Sequence, residues 1–448
     1  MVQPQTGATA PAPAPEFTGR TGEVLQRLNH LYPALIDLSL GRLEALLARL
    51  GHPERKLPPV IHVAGTNGKG STCATLRALG EAAGWRVHVM TSPHLVDVTE
   101  RFRIAGKLVS EAELVATLEE IERVNDGAPI TVFEVLTAAG FLLFARHPAE
   151  LAIIEVGLGG RCDATNVLQH PAACIITSIS RDHEAFLGDS LAAIAAEKAG
   201  IFKPGVPAVT GRQPAEVMQV LQAQAQDVGA SLARRGVEWD IAPTTQQDNP
   251  TGLCLTDEQG ALNLPMPALA GPWQMENAGL AVEALRLSGL TVPEAAWQGV
   301  AQVQWPARMQ RLHGKLAALL PAGWELWLDG GHNPGAGAAL AQELRNWSDR
   351  PLHLLVGMKQ TKDASGFLGP VLPCADDVWA ICEPEQHLAL PVQAIVEASG
   401  GKAHIGPTLA QALGALAAEA DGQPARVLIC GSLYLAGVAL RQDGWVVA

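Results

Sequence analysis

The residues with the clearest chemistry are Val63-Ala64-Gly65-Thr66-Asn67-Gly68-Lys69-Gly70-Ser71-Thr72. Glycines in such a run let successive backbone N–H groups turn inward around phosphate oxygens, and the positive end of a following helix adds an oriented partial charge. Lys69 can then reach the β- and γ-phosphate oxygens, and a hydroxyl from Ser71 or Thr72 can face a magnesium ion. The spacing departs from the common pattern, which has four residues between its first glycine and Gly-Lys. Here only two stand between Gly65 and Gly68, and Gly70 separates Lys69 from Ser71. A plain glycine-rich turn explains the glycines but not the Thr, Asn, Lys and Ser crowded into it, so an ATP or GTP site is the better reading.

Magnesium beside a phosphate loop needs a carboxylate at the carboxyl end of a neighbouring strand. Ile153-Ile154-Glu155-Val156-Gly157 supplies one, followed by Leu158-Gly159-Gly160-Arg161-Cys162-Asp163-Ala164-Thr165-Asn166. An acid ending so apolar a strand is costly to bury without a cation or donor nearby, the plainer reading being a carboxylate that caps the next turn. Thr91-Ser92-Pro93-His94 and Ser178-Ile179-Ser180-Arg181-Asp182-His183 close two further strands of the same pattern. His183 alone reads as a capping histidine. Beside an acid at a shared sheet edge it is also a candidate metal ligand or general base.

The elements that must hold these groups follow from hydrophobic periodicity. Strands are expected at Val60–Ala64, Arg86–Thr91, Leu151–Val156 and Ala173–Ser178, and helices at Ser71–Ala83, Glu111–Asn125, Val132–Arg146, Leu191–Ile201 and Ala215–Val228. The alternation predicts a mostly parallel sheet covered by helices. Before it, Gly22–Leu50 has helical periodicity broken at Tyr32-Pro33. After it, Gly252–Met266 reads as a hairpin, and Asn277–Leu287 and Glu294–Val303 as helices. The Trp305-Pro306 step marks the expected boundary, because the residue before proline is driven out of helix. Beyond it, Glu325–Leu328, His353–Val356, Val378–Ile381 and Val427–Cys430 read as strands, with helices at Gly337–Trp347, Pro391–Ala398 and Thr408–Ala418 between them. The expected fold class is therefore α/β, a P-loop-containing mostly parallel sheet domain at 18–305 followed by a smaller Rossmann-like domain at 306–448. Residues 1–17, alternating Ala and Pro, read as a disordered extended tail.

Composition narrows the partners. In 448 residues, 45 Asp and Glu outweigh 32 Lys and Arg, a formal charge of −13 that repels phosphate backbones; no basic patch offsets it, so nucleic acid is excluded. The 7 cysteines form no CxxC pair, which fits buried thiols in a reducing compartment better than disulfides or a zinc knuckle. Neither a secretory signal nor an apolar run of about 18 residues is present, so a cytoplasmic protein without membrane contact is expected.

The segments GTNGKGS, SPH, EVGLGGRCDATN, DHEAFLG and AEKAGIFKPG resemble, in sequence and in order, those of the folylpolyglutamate synthases. That family is grouped with the Mur ligases, and its bacterial members are often also dihydrofolate synthases. The resemblance continues through Gly271-Pro272-Trp273-Gln274-Met275-Glu276-Asn277-Ala278, Trp305-Pro306-Ala307-Arg308-Met309-Gln310, Asp329-Gly330-Gly331-His332-Asn333-Pro334 and Gly431-Ser432-Leu433-Tyr434, covering about residues 30 to 435. It implies ATP phosphates bound by Asn67, Gly68, Lys69, Gly70 and Ser71, with Asn277, Arg308, Asp329 and His332 completing the nucleotide site. Magnesium, two ions per site, would be held through Ser92, Glu155 and His183. Lys198 would be carbamylated and assist the second ion, although in the sequence alone it reads as a solvated helix lysine. Lys69, Glu155, His183 and Lys198 thus form the implied catalytic set. The pterin-bearing substrate would meet Ile36, Asp37, Leu38, Thr131, Phe133, Glu134, Cys162, Asp163 and Ala164. Two departures, Pro-Ala-Arg for Pro-Gly-Arg and Asp-Gly-Gly-His for Asp-Gly-Ala-His, touch loop geometry and leave the charged groups in place. About twenty residues lie between Arg308 and Asp329, which reads as a lengthened hairpin.

The resemblance implies a monomeric ATP-dependent ligase. A folate or dihydropteroate carboxylate, a poor electrophile, is converted to an acyl phosphate and captured by the amine of L-glutamate. Asp163 and the Arg161-Cys162 context look like bifunctional members, which accept dihydropteroate as well as tetrahydrofolate. A Mur ligase acting on a UDP-sugar peptide would need a further domain before the phosphate loop, and only 64 residues precede Gly65. A P-loop regulator that hydrolyses nucleotide without ligase activity would use Gly65–Ser71 and Glu155 but leave Asn277, Arg308 and Asp329 without a role.

Overall fold

The structure, a computed structural model, describes residues 15–32, 37–246, 249–420 and 422–447. Eight strands build the first sheet: β1 (Val60–Ala64), β2 (Val87–Met90), β3 (Phe102–Ile104), β4 (Lys107–Leu108), β5 (Leu151–Glu155), β6 (Ala173–Ile176), β7 (Pro207–Thr210) and β8 (Ser231–Arg234), in the order β4-β3-β2-β5-β1-β6-β7-β8. At one edge β3 pairs antiparallel with both β2 and β4, and the remaining pairs are parallel. Every residue of β1, β2, β5 and β6 is buried, as expected for strands covered on both faces. Even His62 of β1 is fully enclosed, its Nε2 2.8 Å from Thr165 Oγ1. Chain order runs from β1 outward to β2, back to β5 and then across to β6. The carboxyl ends of β2, β5, β1 and β6 therefore lie side by side at a topological switch point, where α/β sheets bind ligands. In register, Val63 of β1 stands beside Glu155 of β5.

Side-chain caps fix where the covering helices begin. Thr131 and Glu134 form a reciprocal capping box that starts Val132–Arg146, and Ser110 caps Glu111–Asn125. The expected hairpin is one edge of a three-stranded antiparallel sheet: β9 (Asp240–Gln246), β10 (Asn249–Asp257) and β11 (Gly260–Leu264). Glu294–Gln302 winds as 3₁₀ rather than α-helix. It lies so close to the helix Lys69–Ala82 that a Cβ on Gly299 would stand 2.4 Å from Ala78 O.

The last sheet holds β12 (Gln310–Leu312), β13 (Glu325–Leu328), β14 (Leu352–Val356), β15 (Asp377–Ala380), β16 (His404–Ile405) and β17 (Arg426–Cys430), ordered β12-β13-β17-β14-β15-β16. β12 runs antiparallel to β13, so the long connection after Arg308 is a hairpin, and the remaining pairs are parallel. Two further helices, Ala364–Val371 and Leu433–Asp443, were not legible in the periodicity. Both observed sheets fit the expected α/β class. Residues 1–14, most of the expected tail, lie outside the described residues. The expectation fails at its end, because Glu16 is ion-paired to Arg101 and Phe17 packs against the core of the first sheet. Among the described residues no helix is long and apolar enough to cross a membrane.

The first sheet's Leu95–Val96 segment packs into the core of the last sheet. Gly437, inside the helix Leu433–Asp443, permits that approach, since a Cβ there would stand 1.8 Å from Leu95 O. Overpacking of this kind costs about 1–3 kcal/mol. Gly437→Ala is expected to lower the midpoint of thermal unfolding measured by calorimetry; an unchanged midpoint would show that the junction gives way at no cost.

Candidate active site

The carboxyl ends of the two large sheets face each other across a cleft of about 1600 Å³. The residues the sequence nominates line it, except Thr72, which is buried behind it, and Ile36, which lies outside the described residues. The phosphate loop follows β1. Gly68 has φ +90°, and its missing Cβ leaves room for Asn277 Oδ1, which would otherwise lie 2.5 Å away. The helix Lys69–Ala82 begins directly after it, so Gly68, Lys69, Gly70 and Ser71 stand at a helix N-terminus facing the cleft. Lys69 Nζ is folded back on Gly65 O (3.1 Å) and Thr66 O (3.3 Å) and lies 4.0 Å from Glu155 Oε1. Ser71 borders the cleft, whereas Thr72 is fully buried with no partner for its hydroxyl, so Ser71 is the better placed of the two.

Glu155 ends β5 as a buried carboxylate that accepts the Ser92 amide at 3.1 Å. Burial raises its proton affinity, against the pull of Lys69 and the Ser92 amide. A carboxylate so placed suits a divalent cation. Among the described residues no three His, Cys, Asp or Glu side chains converge into a cage of their own. The donor set therefore fits magnesium taking one carboxylate, hydroxyls and phosphate oxygens. His183 follows β6 with a left-handed φ of +54°. Its Nε2 faces Lys362 Nζ at 3.2 Å, and enclosure within the cleft and the nearby cations lower its pKa to about 3. The ring is thus neutral at pH 7 and engaged by Lys362.

Lys198 corrects the sequence reading. It is buried rather than solvated, and its Nζ donates to Gly65 O at 2.8 Å beneath the phosphate loop. The helix Leu191–Ala199 comes this close because Gly160 has no side chain; a Cβ there would stand 2.6 Å from Glu197 O. Burial, then the charge of Lys69, lower the Lys198 pKa to about 7.

The far wall comes from the last sheet. Asp329, after β13, accepts from the Met309 amide (2.9 Å) and the Gly331 amide (2.7 Å), holding the loop that carries Arg308. Burial raises the Asp329 pKa and lowers that of Arg308, and their mutual attraction opposes both shifts. Ala307 sits at φ +55°, the conformation glycine favours, where the resemblance expects Gly. His332 Nδ1 lies 2.8 Å from Gly330 O and its Nε2 3.6 Å from Asp182.

Asp182 joins the walls, a role the sequence did not reveal. Its carboxylate receives Lys362 Nζ at 2.6 Å and Asn333 Nδ2 at 3.0 Å. Burial pushes its pKa up, but the hydrogen bond from His332 and the Lys362 charge hold it well below the carboxylate range. Asn333 and Asn67 exchange amide hydrogen bonds of 2.9 and 3.0 Å, tying the phosphate loop to the loop after Asp329. Asn333 stood in a quoted segment, but Lys362 lay in no recognised motif.

At the other end of the cleft, the nominated acids already have partners. Asp37 accepts from Tyr32 (2.6 Å) and Arg42 (2.9 Å), and Glu134 from Arg42 (3.1 Å). Asp163 caps Ala164–Val167 and also accepts the Leu158 amide at 2.8 Å. These acids shape the wall, while Leu38, Phe133 and Ala164 give it apolar surface and Thr131 and Cys162 border it.

Comparison with known proteins agrees with this geometry. Residues 63–285 match the Mur ligase middle domain, and residues 315–442 match the dihydrofolate synthetase C-terminal domain. The dihydrofolate synthase/folylpolyglutamate synthase of Escherichia coli is 36% identical over 424 residues, 94% of each chain. The structure of E. coli FolC in complex with DHPP and ADP superposes with a TM-score of 0.84 at 34% identity, covering 97% of this chain and 98% of that one. A bifunctional folylpolyglutamate synthase/dihydrofolate synthase with Mn, AMPPNP and L-glutamate bound gives 0.83 at 33% identity, covering 95% and 98%.

The Gly68 geometry can be tested directly. An alanine there must adopt φ +90° and displace Asn277, so Gly68→Ala is expected to weaken ADP binding at least about tenfold, or ~1.4 kcal/mol, in calorimetric titration. Unchanged affinity with an unchanged circular dichroism spectrum would remove Gly68 from the nucleotide site.

Proposed function

The chain belongs to the dihydrofolate synthase/folylpolyglutamate synthase family, and we propose from that premise how its cleft works. It is an ATP-dependent ligase that activates a folate or dihydropteroate carboxylate as an acyl phosphate and joins it to L-glutamate, using ATP and a divalent cation. The observation that carries this reading is the union in one cleft of a phosphate loop, the buried strand-end carboxylate Glu155 and Arg308 from the second sheet. A regulator that only hydrolysed nucleotide would have no use for the opposing wall.

In the proposed mechanism the amides around Gly68 and the Lys69 ammonium cradle the β- and γ-phosphates. Lys69 exchanges its present carbonyl partners for phosphate oxygens. Glu155, Ser92 and the Ser71 hydroxyl would hold magnesium, which when bound would neutralise charge on the phosphates. Asn277 and Arg308 meet the nucleotide. Asp329 acts as a positioning residue that fixes the Arg308 loop, since its oxygens already accept the Met309 and Gly331 amides. His332 and Asp182 hold the two walls together, so that phosphoryl transfer proceeds away from bulk water. The substrate carboxylate attacks the γ-phosphorus and releases ADP. The glutamate amine then adds to the acyl carbon, and the tetrahedral intermediate expels phosphate to leave the amide. His183 is neutral, the form that ligates a cation, and its low pKa makes it a weak proton acceptor; once Lys362 turns to a phosphate, its Nε2 is released toward the cation.

The substrate wall from Asp37 to Ala164 supports a pterin carrier, and we assign both dihydropteroate and tetrahydrofolate to it. The working unit is taken as one chain in the cytoplasm, divided near Trp305-Pro306. The described cysteines are all free, which favours a reducing compartment.

Three measurements test the reading. ADP release should require L-glutamate together with dihydropteroate or tetrahydrofolate; turnover independent of glutamate would favour the nucleotide-hydrolysing regulator instead. Glu155→Gln should reduce kcat by about two orders of magnitude or more, as removing one group that stabilises transition-state charge does. With a pKa near 7, about half of Lys198 is free amine at neutral pH, the form that adds carbon dioxide. A carbamate resonance should therefore appear with ¹³C-bicarbonate and vanish in Lys198→Met; its absence from the native chain would exclude the modification.

A further inference from the structure

Between the two walls, away from the phosphate loop, the cleft contains a carboxylate that belongs to neither sheet. Glu16 lies in the extended segment before the first helix, Gly19–Asn29. Its Oε1 accepts from Arg101 Nη2 at 3.1 Å and from Tyr434 OH at 3.2 Å, joining a donor of the first sheet to one of the last. Lys359 Nζ lies 4.7 Å from the centre of the Tyr434 ring, and its charge reaches Glu16. Glu16, Arg101, Lys359 and Tyr434 all line the same cleft as Lys69 and Glu155.

The Arg101 side chain is only 7% exposed, against 22% for Glu16. A guanidinium so enclosed needs an anion. The neighbouring acid Glu100 is committed to the Leu95, Val96 and Asp97 amides. Arg101 Nε is held by His94 Nδ1 at 3.0 Å, which fixes the direction of its fork. Arg101 also borders a small cavity with Ser92 and Glu155, so the arginine that holds Glu16 neighbours the proposed site of acyl transfer. The subsite is thus built for a carboxylate beside the reacting centre, and it is filled by the chain itself. Glu16 O faces His94 Nε2 at 3.3 Å, and the ring of the next residue, Phe17, lies 5.6 Å from Arg101 Cζ and 5.6 Å from the His94 ring, so the chain is anchored at Phe17 and Glu16 leaves the subsite by turning its own side chain.

We propose that Glu16 is a built-in competitor for the amino-acid substrate, occupying a subsite of Arg101, Tyr434 and Lys359 that a carboxylate of L-glutamate takes when the Glu16 side chain turns away. This inference rests on the ligase reading. The contact is autoinhibitory: L-glutamate binds only the fraction of molecules in which the Glu16 side chain is displaced, and its apparent affinity is reduced by that fraction.

The test uses the full chain and Glu16→Gln, which keeps size and removes charge, with Glu16→Ala as the second variant. L-glutamate is titrated calorimetrically into each protein in the presence of ADP and magnesium, and steady-state KM values are measured alongside. If the Glu16 side chain fills the subsite nine-tenths of the time, both variants should bind L-glutamate about tenfold more tightly. The KM for glutamate should fall in step, with the KM for ATP unchanged. Glutarate, which carries the carboxylates without the amine, should gain in the same way. Glutamate affinity that is unchanged or weaker in both variants would overturn the proposal, and reduced thermal stability accompanying that result would make Glu16 a structural strap. Calorimetric binding does not require turnover, so failure of the ligase reading, seen as no glutamate-dependent ADP release, is distinguishable from failure of this one.

Discussion

A single buried ion pair decides whether this chain has a site at all. Asp182 and Lys362 meet at 2.6 Å, and they follow strands of different sheets. Breaking such a pair by removing one partner strands an uncompensated charge, a cost of about 3–5 kcal/mol. The pair does not stand alone. Asn333 bonds to Asp182 and to Asn67, so the phosphate loop, the loop after β6 and the loop after β13 share one network. Each sheet end carries only part of the chemistry: phosphate loop and Glu155 on one side, Arg308 and Asp329 on the other. The network makes the parts one cleft.

The chain's acidity gives that arrangement its logic. A protein of charge −13 that handles ATP, glutamate and a carboxylated pterin must gather its few cations where the anions go. Lys69, Lys198, Arg308, Arg101, Lys359 and Lys362 all border the cleft. Gathering cations has its own electrostatic cost. Lys198 answers by losing much of its charge, Lys362 by pairing with Asp182, and Arg101 by pairing with Glu16. The nominated acids of the pterin wall are similarly committed to internal donors, so they set the shape of that wall rather than its charge.

Much of this was legible in the residue order because it is local. Buried apolar runs marked β1, β2, β5 and β6, and the functional residues follow directly from their ends. The helices Glu111–Asn125 and Val132–Arg146 announced themselves by Ser110 and by the Thr131–Glu134 box. What escaped depends on distant packing. The burial of Lys198 is set by Gly160, thirty-eight positions earlier, and the Asp182–Lys362 pair spans 180 positions without a motif at Lys362. Short edge strands such as β4 and β16 have too few residues for a period, and the polar run of β9 conceals its pairing with β10. Glu16 was hidden in a different way. A Pro- and Ala-rich composition predicts an unstructured tail, and nothing local marks one carboxylate in it as the partner of an arginine on β3's approach.

The central claim is that the cleft transfers the γ-phosphoryl group to the substrate carboxylate before the amine attacks. Isotope transfer reports on this directly: with the carboxylate of dihydropteroate or tetrahydrofolate labelled with ¹⁸O, one labelled oxygen should pass into inorganic phosphate with each turnover. Amide product formed with unlabelled phosphate would contradict activation as an acyl phosphate, and with it the role assigned to the joined walls.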